Sequence, residues 1–266
     1  LSYRGYSIEE LAQKSTFEET SYLLLFGELP KTDQLKHFAS EITKHRELPA
    51  DLVTILKALP KETRPMDVLQ MAVSSLGTFY DLEVNPEKVK SKKYDEDYFM
   101  STSAILIGAL GSVVAAWHRI RSGEEPIPSV SEISYAQNFL HMLGADKITP
   151  LMTRIMDATL VLHGEHTINA STFTAMVTSS TLANPSQVVA SAIGSLSGPL
   201  HGGANEKVIA MLQKIKSKED IRPWLDDTLK AKNVVWGMGH REYSVKDPRA
   251  NILTDMVQDL FDERDG

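Results

Sequence analysis

The stretch Ala104-Ile105-Leu106-Ile107-Gly108-Ala109-Leu110-Gly111-Ser112-Val113-Val114-Ala115-Ala116-Trp117 decides the fold class. Its 14 residues carry no charge, and Ser112 alone among them is polar. A bilayer crossing needs about 20 consecutive apolar residues, so this run reads as a helix buried in protein. The small residues Gly108, Ala109, Gly111, Ser112, Ala115 and Ala116 suit close helix packing, either inside this chain or against a second copy.

Outward from that helix, apolar residues recur at helical spacing on both sides. Toward the N-terminus, Ser7 caps the Ile8-Glu9-Glu10-Leu11 stripe. Thr16 with Glu19 forms a capping-box pattern before Tyr22 to Phe26, which stops at Gly27 and Pro30. Helices are expected from Thr32 to Arg46, Pro49 to Leu59 and Pro65 to Phe79, with Asp81 to Asp97 polar and irregular before the Met100 to Ile120 helix. Beyond Gly123, Pro126 and Pro128, they are expected over Ile133 to Leu143, Thr149 to Leu162, Asn169 to Leu182, Gln187 to Leu196, Ala204 to Ile215, Arg222 to Ala231 and Asp247 to Phe261. No run alternates as a strand would, and no repeat is visible. The expected class is all-α. Ser197-Gly198-Pro199 is the natural break, dividing residues 1–197 from 198–266.

Hydrophobic residues make up 42% of the 266, ample for a large core, and the net charge of −7 argues against a nucleic-acid partner, which needs a basic face. Small anions remain possible ligands, because local charge governs their binding. The lack of cysteine excludes disulfides and thiolate chemistry and fits a reducing compartment. There is no signal-peptide pattern and no spanning segment, so no membrane partner is expected. The chain opens on Leu1 without an initiator methionine and ends inside a helical pattern, so both ends are expected to be internal to a longer protein.

Four of the eight histidines fall in three late motifs: His163-Gly164-Glu165-His166, Gly198-Pro199-Leu200-His201-Gly202-Gly203 and Gly237-Met238-Gly239-His240, the last followed by Asp247-Pro248-Arg249. Neutral imidazole both donates and accepts, so histidines gather where protons move or anions are held. His201 should sit at a helix N-terminus, where the dipole favours the neutral ring and lets it donate to a carbonyl oxygen. It could equally cap a glycine-rich turn. His163 and His166 are one turn apart and could share a helix face toward an anion, or could be helix-end residues bonded to backbone. Zinc is disfavoured by the i, i+3 spacing and the missing third ligand. Arg249, in the first turn of a helix opened by Pro248, could grip a carboxylate with two parallel N–H bonds, or face solvent while Asp247 caps.

Together these motifs resemble the citrate synthase family, and the resemblance covers the whole chain. It rests also on Tyr3-Arg4-Gly5-Tyr6, Leu24-Leu25-Phe26-Gly27-Glu28-Leu29-Pro30 and Arg64-Pro65-Met66-Asp67-Val68-Leu69, all in the family's order. The resemblance implies a large helical domain and part of a smaller one that closes over substrate. It implies condensation of acetyl-CoA with oxaloacetate to citrate, a reaction of the tricarboxylic acid cycle, or of propionyl-CoA to 2-methylcitrate. His201 would hydrogen-bond the thioester carbonyl, and His240 would serve the keto oxygen of oxaloacetate. His166 and Arg249, with His163 beside them, would hold oxaloacetate. Val235, Gly237, Met238 and Gly239 would line the CoA site. No metal and no tightly bound cofactor are implied; the family is dimeric, so a homodimer or higher homo-oligomer is expected.

In the family an aspartate beyond the segment ending at Phe261 removes the acetyl-CoA proton, and later arginines complete the oxaloacetate site. No aspartate here stands in a matching motif, so this stretch by itself is expected to be inactive. The different-class alternatives are a metal-dependent hydrolase using His163, Glu165 and His166 and a non-catalytic helical assembly module. A prokaryotic cytoplasm is the expected location, with the mitochondrial matrix as the other.

Overall fold

The computed structural model describes residues 1–90, 95–238 and 246–265. Its helices are α1 (Ile8–Lys14), α2 (Phe17–Phe26), α3 (Thr32–Lys44), α4 (Ala50–Ala58), α5 (Pro65–Phe79), α6 (Pro86–Lys90) and α7 (Glu96–Arg121). There follow α8 (Tyr135–Met142), α9 (Pro150–Leu162), α10 (Ala170–Ser179), α11 (Pro185–Leu196), α12 (Ala204–Leu212), α13 (Ile221–Lys230) and α14 (Pro248–Asp265). The all-α expectation holds. The caps read from sequence are formed: the Ser7 and Thr16 side chains accept from Glu10 and Glu19 N–H at 3.4 and 3.2 Å.

Two departures have local causes. Ser2–Tyr3 (β1) and Tyr6–Ser7 (β2) pair antiparallel around an Arg4-Gly5 turn. Strands of two residues are too short for alternation to show in a sequence. The Asp81 to Asp97 stretch contains α6, and α7 begins at Glu96 rather than Met100. There Asp95 accepts from Tyr98 N–H at 3.1 Å, and Glu96 and Asp97 suit the positive end of the dipole. The helix therefore starts on polar residues, before its apolar stripe.

At the centre lies α7. Its Leu106, Ala109, Val113, Ala116, Trp117 and Ile120 form one core with Leu52 and Leu56 of α4, Val68 to Leu76 of α5, and Ala190 and Ile193 of α11. At Gly108 a side-chain carbon would stand 2.7 Å from the Ile42 carbonyl, so the absence of a Cβ is what lets α3 end against α7. The small-residue stripe thus packs inside the chain. By length and composition α7 could cross a membrane, yet 56% of its most apolar window is buried here among other helices, which accounts for that apolarity.

A buried polar network ties the start of α2 to α8 and α9. Arg46, 2% exposed, donates to the Ile133 carbonyl at 2.9 Å and lies 3.6 Å from Glu18 Oε1. Glu18 accepts from Tyr135 N–H at 2.9 Å, and the Tyr135 hydroxyl donates to the Ile107 carbonyl at 2.8 Å. Burial pushes the Tyr135 phenol up to about 12. Asp157 of α9 accepts from Phe17 N–H at 2.9 Å, and burial raises its carboxyl to about 6 despite the nearby Arg154. Arg154 in turn donates to the Ser15 and Ala12 carbonyls. The network fixes α9, the helix that leads into the first histidine motif. Among the described residues, none after Ile193 is buried.

Candidate active site

His201 lies in the turn between α11 and α12. The turn is closed by His201 N–H to the Gly198 carbonyl at 3.0 Å and Gly203 N–H to the same oxygen at 3.2 Å. At Gly202 a Cβ would stand 2.8 Å from the Leu196 carbonyl, so glycine allows the turn to fold back on the end of α11. As expected, the next helix starts just after, and the His201 carbonyl receives Ala204 N–H. The half-buried ring reaches α10, placing Nε2 3.0 Å from Ser171 Oγ.

Ser171 was not a predicted site residue, and it sets the chemistry of the ring. Its single proton has two acceptors: Asn169 Oδ1 at 2.7 Å and the Nε2 lone pair of His201. Donation to Nε2 leaves the imidazole proton on Nδ1, where it can be given to a ligand oxygen; donation to Asn169 makes Nε2–H the donor to Oγ and leaves Nδ1 of the neutral ring as an acceptor. Asn169 also caps α10, accepting from Thr172 N–H at 3.0 Å, so a helix start holds the serine. The sequence Asn169-Ala170-Ser171 signals that cap, but nothing in it points to His201.

The first motif does not present two rings on one helix face. α9 ends at Leu162, and His163 is its C-cap, exposed, with Nδ1 2.6 Å from the Thr159 carbonyl. That is the backbone-bonded reading of this residue. The chain then bends away: Tyr3, 2% exposed, accepts from Glu165 N–H at 3.3 Å, and the Glu165 carboxylate accepts from Thr167 N–H. A cleft of about 390 Å³ lined by Tyr3, Arg4, Leu24, Gly164 and Glu165 borders the bend. His166, half-buried, lies within electrostatic reach of Asp247 at the start of α14. Among the described residues no three His, Asp or Glu side chains are gathered as ligands for a metal.

At α14, Arg249 grips a carboxylate with parallel bonds, as its position allows, but the carboxylate is Asp247. Arg249 Nη2 donates to Oδ2 at 2.7 Å and Nε to Oδ1 at 3.1 Å, while the Arg249 backbone N–H donates to Oδ1 at 2.9 Å. The side-chain bond from Arg249 chiefly holds the Asp247 carboxyl below the usual range, with the backbone bond and the charges of Arg249 and His166 adding to it. Further along α14, Ile252 and Leu253 pack on the cluster of Tyr3, Ile8, Leu11 and Leu162. That contact docks the arginine beside the bend carrying His166.

Val235 and Trp236 are half-buried, whereas Gly237 and Met238 are exposed. Gly237 has φ of 88°, a left-handed conformation that favours glycine, and its backbone lies on Val208 of α12. Gly239 and His240 lie outside the described residues. The structure thus gathers His166, Asp247 and Arg249 in one place. It sets His201 on Ser171, and rests the glycine loop on the helix that His201 precedes.

The profile of the family described as "Citrate synthase, C-terminal domain" matches residues 1–266. The chain is 44% identical over 261 residues to a citrate synthase of Synechocystis sp., matching 98% of this chain and 64% of that protein. It is 38% identical over 264 residues to the 2-methylcitrate synthase of Shewanella oneidensis, matching 98% of this chain and 67% of that one. Its fold superposes on the crystal structure of citrate synthase from Pyrobaculum aerophilum with a TM-score of 0.85 at 34% identity, covering 98% of this chain and 65% of that one. Citrate synthase from Thermotoga maritima MSB8 gives 0.79 at 35% identity, covering 97% and 66%. The chain therefore spans just under two thirds of the length of the Synechocystis protein, and by fold and sequence together it belongs to the citrate synthase family.

Proposed function

We propose that the native protein condenses acetyl-CoA with oxaloacetate and water, giving citrate and CoA. The observation that carries this is the His201–Ser171 pair at 3.0 Å, which can hold a neutral imidazole with one donor directed at a ligand. That donor hydrogen-bonds the thioester carbonyl as a methyl proton leaves, so charge developing on oxygen meets a fixed dipole. The resulting enol attacks the keto carbon of oxaloacetate, and His240 protonates the oxygen that becomes the hydroxyl. Hydrolysis of the thioester then releases CoA. The base that removes the methyl proton is the aspartate that the family resemblance implies beyond Phe261.

His166 and Arg249 hold oxaloacetate, with Arg249 exchanging Asp247 for a substrate carboxylate or sharing itself between them. A pre-gripped arginine has its side-chain entropy already lost, which favours a bidentate ligand. His163 stands at the edge of this site rather than in it. Residues 198–266 act as the part of a smaller domain that closes on the body, a reading supported by the loss of burial after Ile193. A second copy docks on α10, whose Phe173, Met176 and Val177 are 61%, 52% and 52% exposed.

Two substitutions in the native protein test the site. His201→Ala should collapse turnover while leaving oxaloacetate affinity intact, and Arg249→Ala should raise the oxaloacetate Kd first. Unchanged steady-state kinetics in both would remove the assignment. The 2-methylcitrate reading keeps a place because a relative of that name is 38% identical. One methylene is worth only about 1–3 kcal/mol of discrimination, so rates with acetyl-CoA and propionyl-CoA side by side decide between them.

A further inference from the structure

The loop proposed to face CoA meets α12 through a cation–π contact that none of the functional residues supplies. Lys207, in the first turns of α12, sets Nζ 4.2 Å from the centroid of the Trp236 ring. Lys207 and Trp236 are both half-buried, and among the described residues no carboxylate pairs with Lys207. One position along, Val208 lies under the backbone of Gly237. Around this seat the loop is open: Val234 and Met238 are 61% and 76% exposed. Met238 N–H closes the loop on the Val235 carbonyl at 3.2 Å, and the cation on the indole face ties the loop so formed to α12.

The geometry points to Lys207 and Trp236 as positioning residues that latch the Val235–Met238 loop onto the helix preceded by His201. This inference rests on the citrate synthase reading, in which the loop lines the acyl-CoA site. Its consequence is that one rigid element, α12, references both the donor for the thioester carbonyl and the wall against which the CoA portion lies. A thioester misplaced by about 1 Å reacts roughly 10²-fold more slowly, so a shared reference is worth having. Lys207 touches no reacting atom in this arrangement and acts through Trp236.

The test uses native enzyme and three single variants, K207M, K207R and W236A, with the K207M/W236A double variant. K207M keeps the aliphatic stem and removes the cation; K207R keeps a cation able to stack on indole. The expected result is an acetyl-CoA KM raised about two- to fivefold in K207M, with the oxaloacetate KM unchanged and K207R restored toward wild type. W236A should show a larger rise, to which K207M adds nothing. Wild-type values in K207M, failure of K207R to rescue, or fully additive effects in the double variant would each overturn the latch. Additive effects would mean that Lys207 contacts CoA directly. A wild-type enzyme that makes no citrate overturns the functional reading instead. The latch is then judged by tryptophan emission, which K207M must change and K207R must leave near wild type.

Discussion

Residues up to Ile193 and residues beyond Gly198 are built on different terms. The first region encloses Phe38, Ile42, Leu52, Leu56, Leu76 and Leu162 completely. In the second, α12 and α13 contain no buried residue, and Ile209, Leu229 and Val234 are 57%, 58% and 61% exposed. Yet the second region carries His201, the glycine loop and Arg249, which the first meets with Ser171 and His166. Stability is concentrated in one region and much of the chemistry in the other, as expected where a site must open and close on its ligands. Among the described residues the two meet where Ile252 and Leu253 pack on the N-terminal cluster, where His201 reaches Ser171, and where His166 stands near Asp247.

The strongest way to break this contrast is Phe38→Ala. It should lower unfolding free energy by about 3–5 kcal/mol in urea titrations of the chain. A loss as small as that of a surface change would mean that the first region is not the stable core. His201→Ala should leave the urea midpoint nearly unmoved and lower kcat of the native enzyme by about 10²–10³-fold. Next comes Ser171→Ala, which keeps the ring and removes its orienting bond. It should lower kcat roughly tenfold, with oxaloacetate affinity held. A null effect would show that Ser171 is only a helix-cap neighbour.

Asp157 sharpens the contrast through pH. Burial lifts its carboxyl from 3.8 to about 6, so the folded state binds this proton more tightly than the unfolded state. Stability from this group is therefore greatest at low pH and falls as pH rises between those two values. Asp157→Asn still accepts from Phe17 N–H and should flatten that part of the stability–pH curve, with a midpoint at pH 7 equal to or above wild type. A steeper slope in the variant would contradict the burial argument. The smallest effect is expected at Leu229→Ala in residues 1–266, under about 0.5 kcal/mol; a core-sized loss would show that Leu229 is covered.

Most of the fold is legible in the sequence because helices are specified locally. Ser7, Thr16 and Thr149 announce their helix starts, Pro65 and Pro150 occupy first turns, and all five are found there. The β1–β2 hairpin and the polar start of α7 are missed because neither carries an apolar period. The site is legible only in part. His201 ahead of a helix and Arg249 in a first turn follow from neighbouring glycines and prolines. The paired face of His163 and His166 does not form, because α9 stops one residue before His163.

By itself the sequence determined an all-α chain, its caps and the three histidine motifs, since each depends on residues within a turn or two of one another. Tertiary structure alone decided that His201 meets Ser171 across 30 positions and that Tyr3 receives Glu165 N–H across 162. It also decided that Lys207 lies on Trp236, 29 positions away. Contacts of that range depend on how helices cross and on which rotamer the packed neighbours leave open. Spacing along the chain encodes which face of a helix is apolar, and not what another helix brings to it.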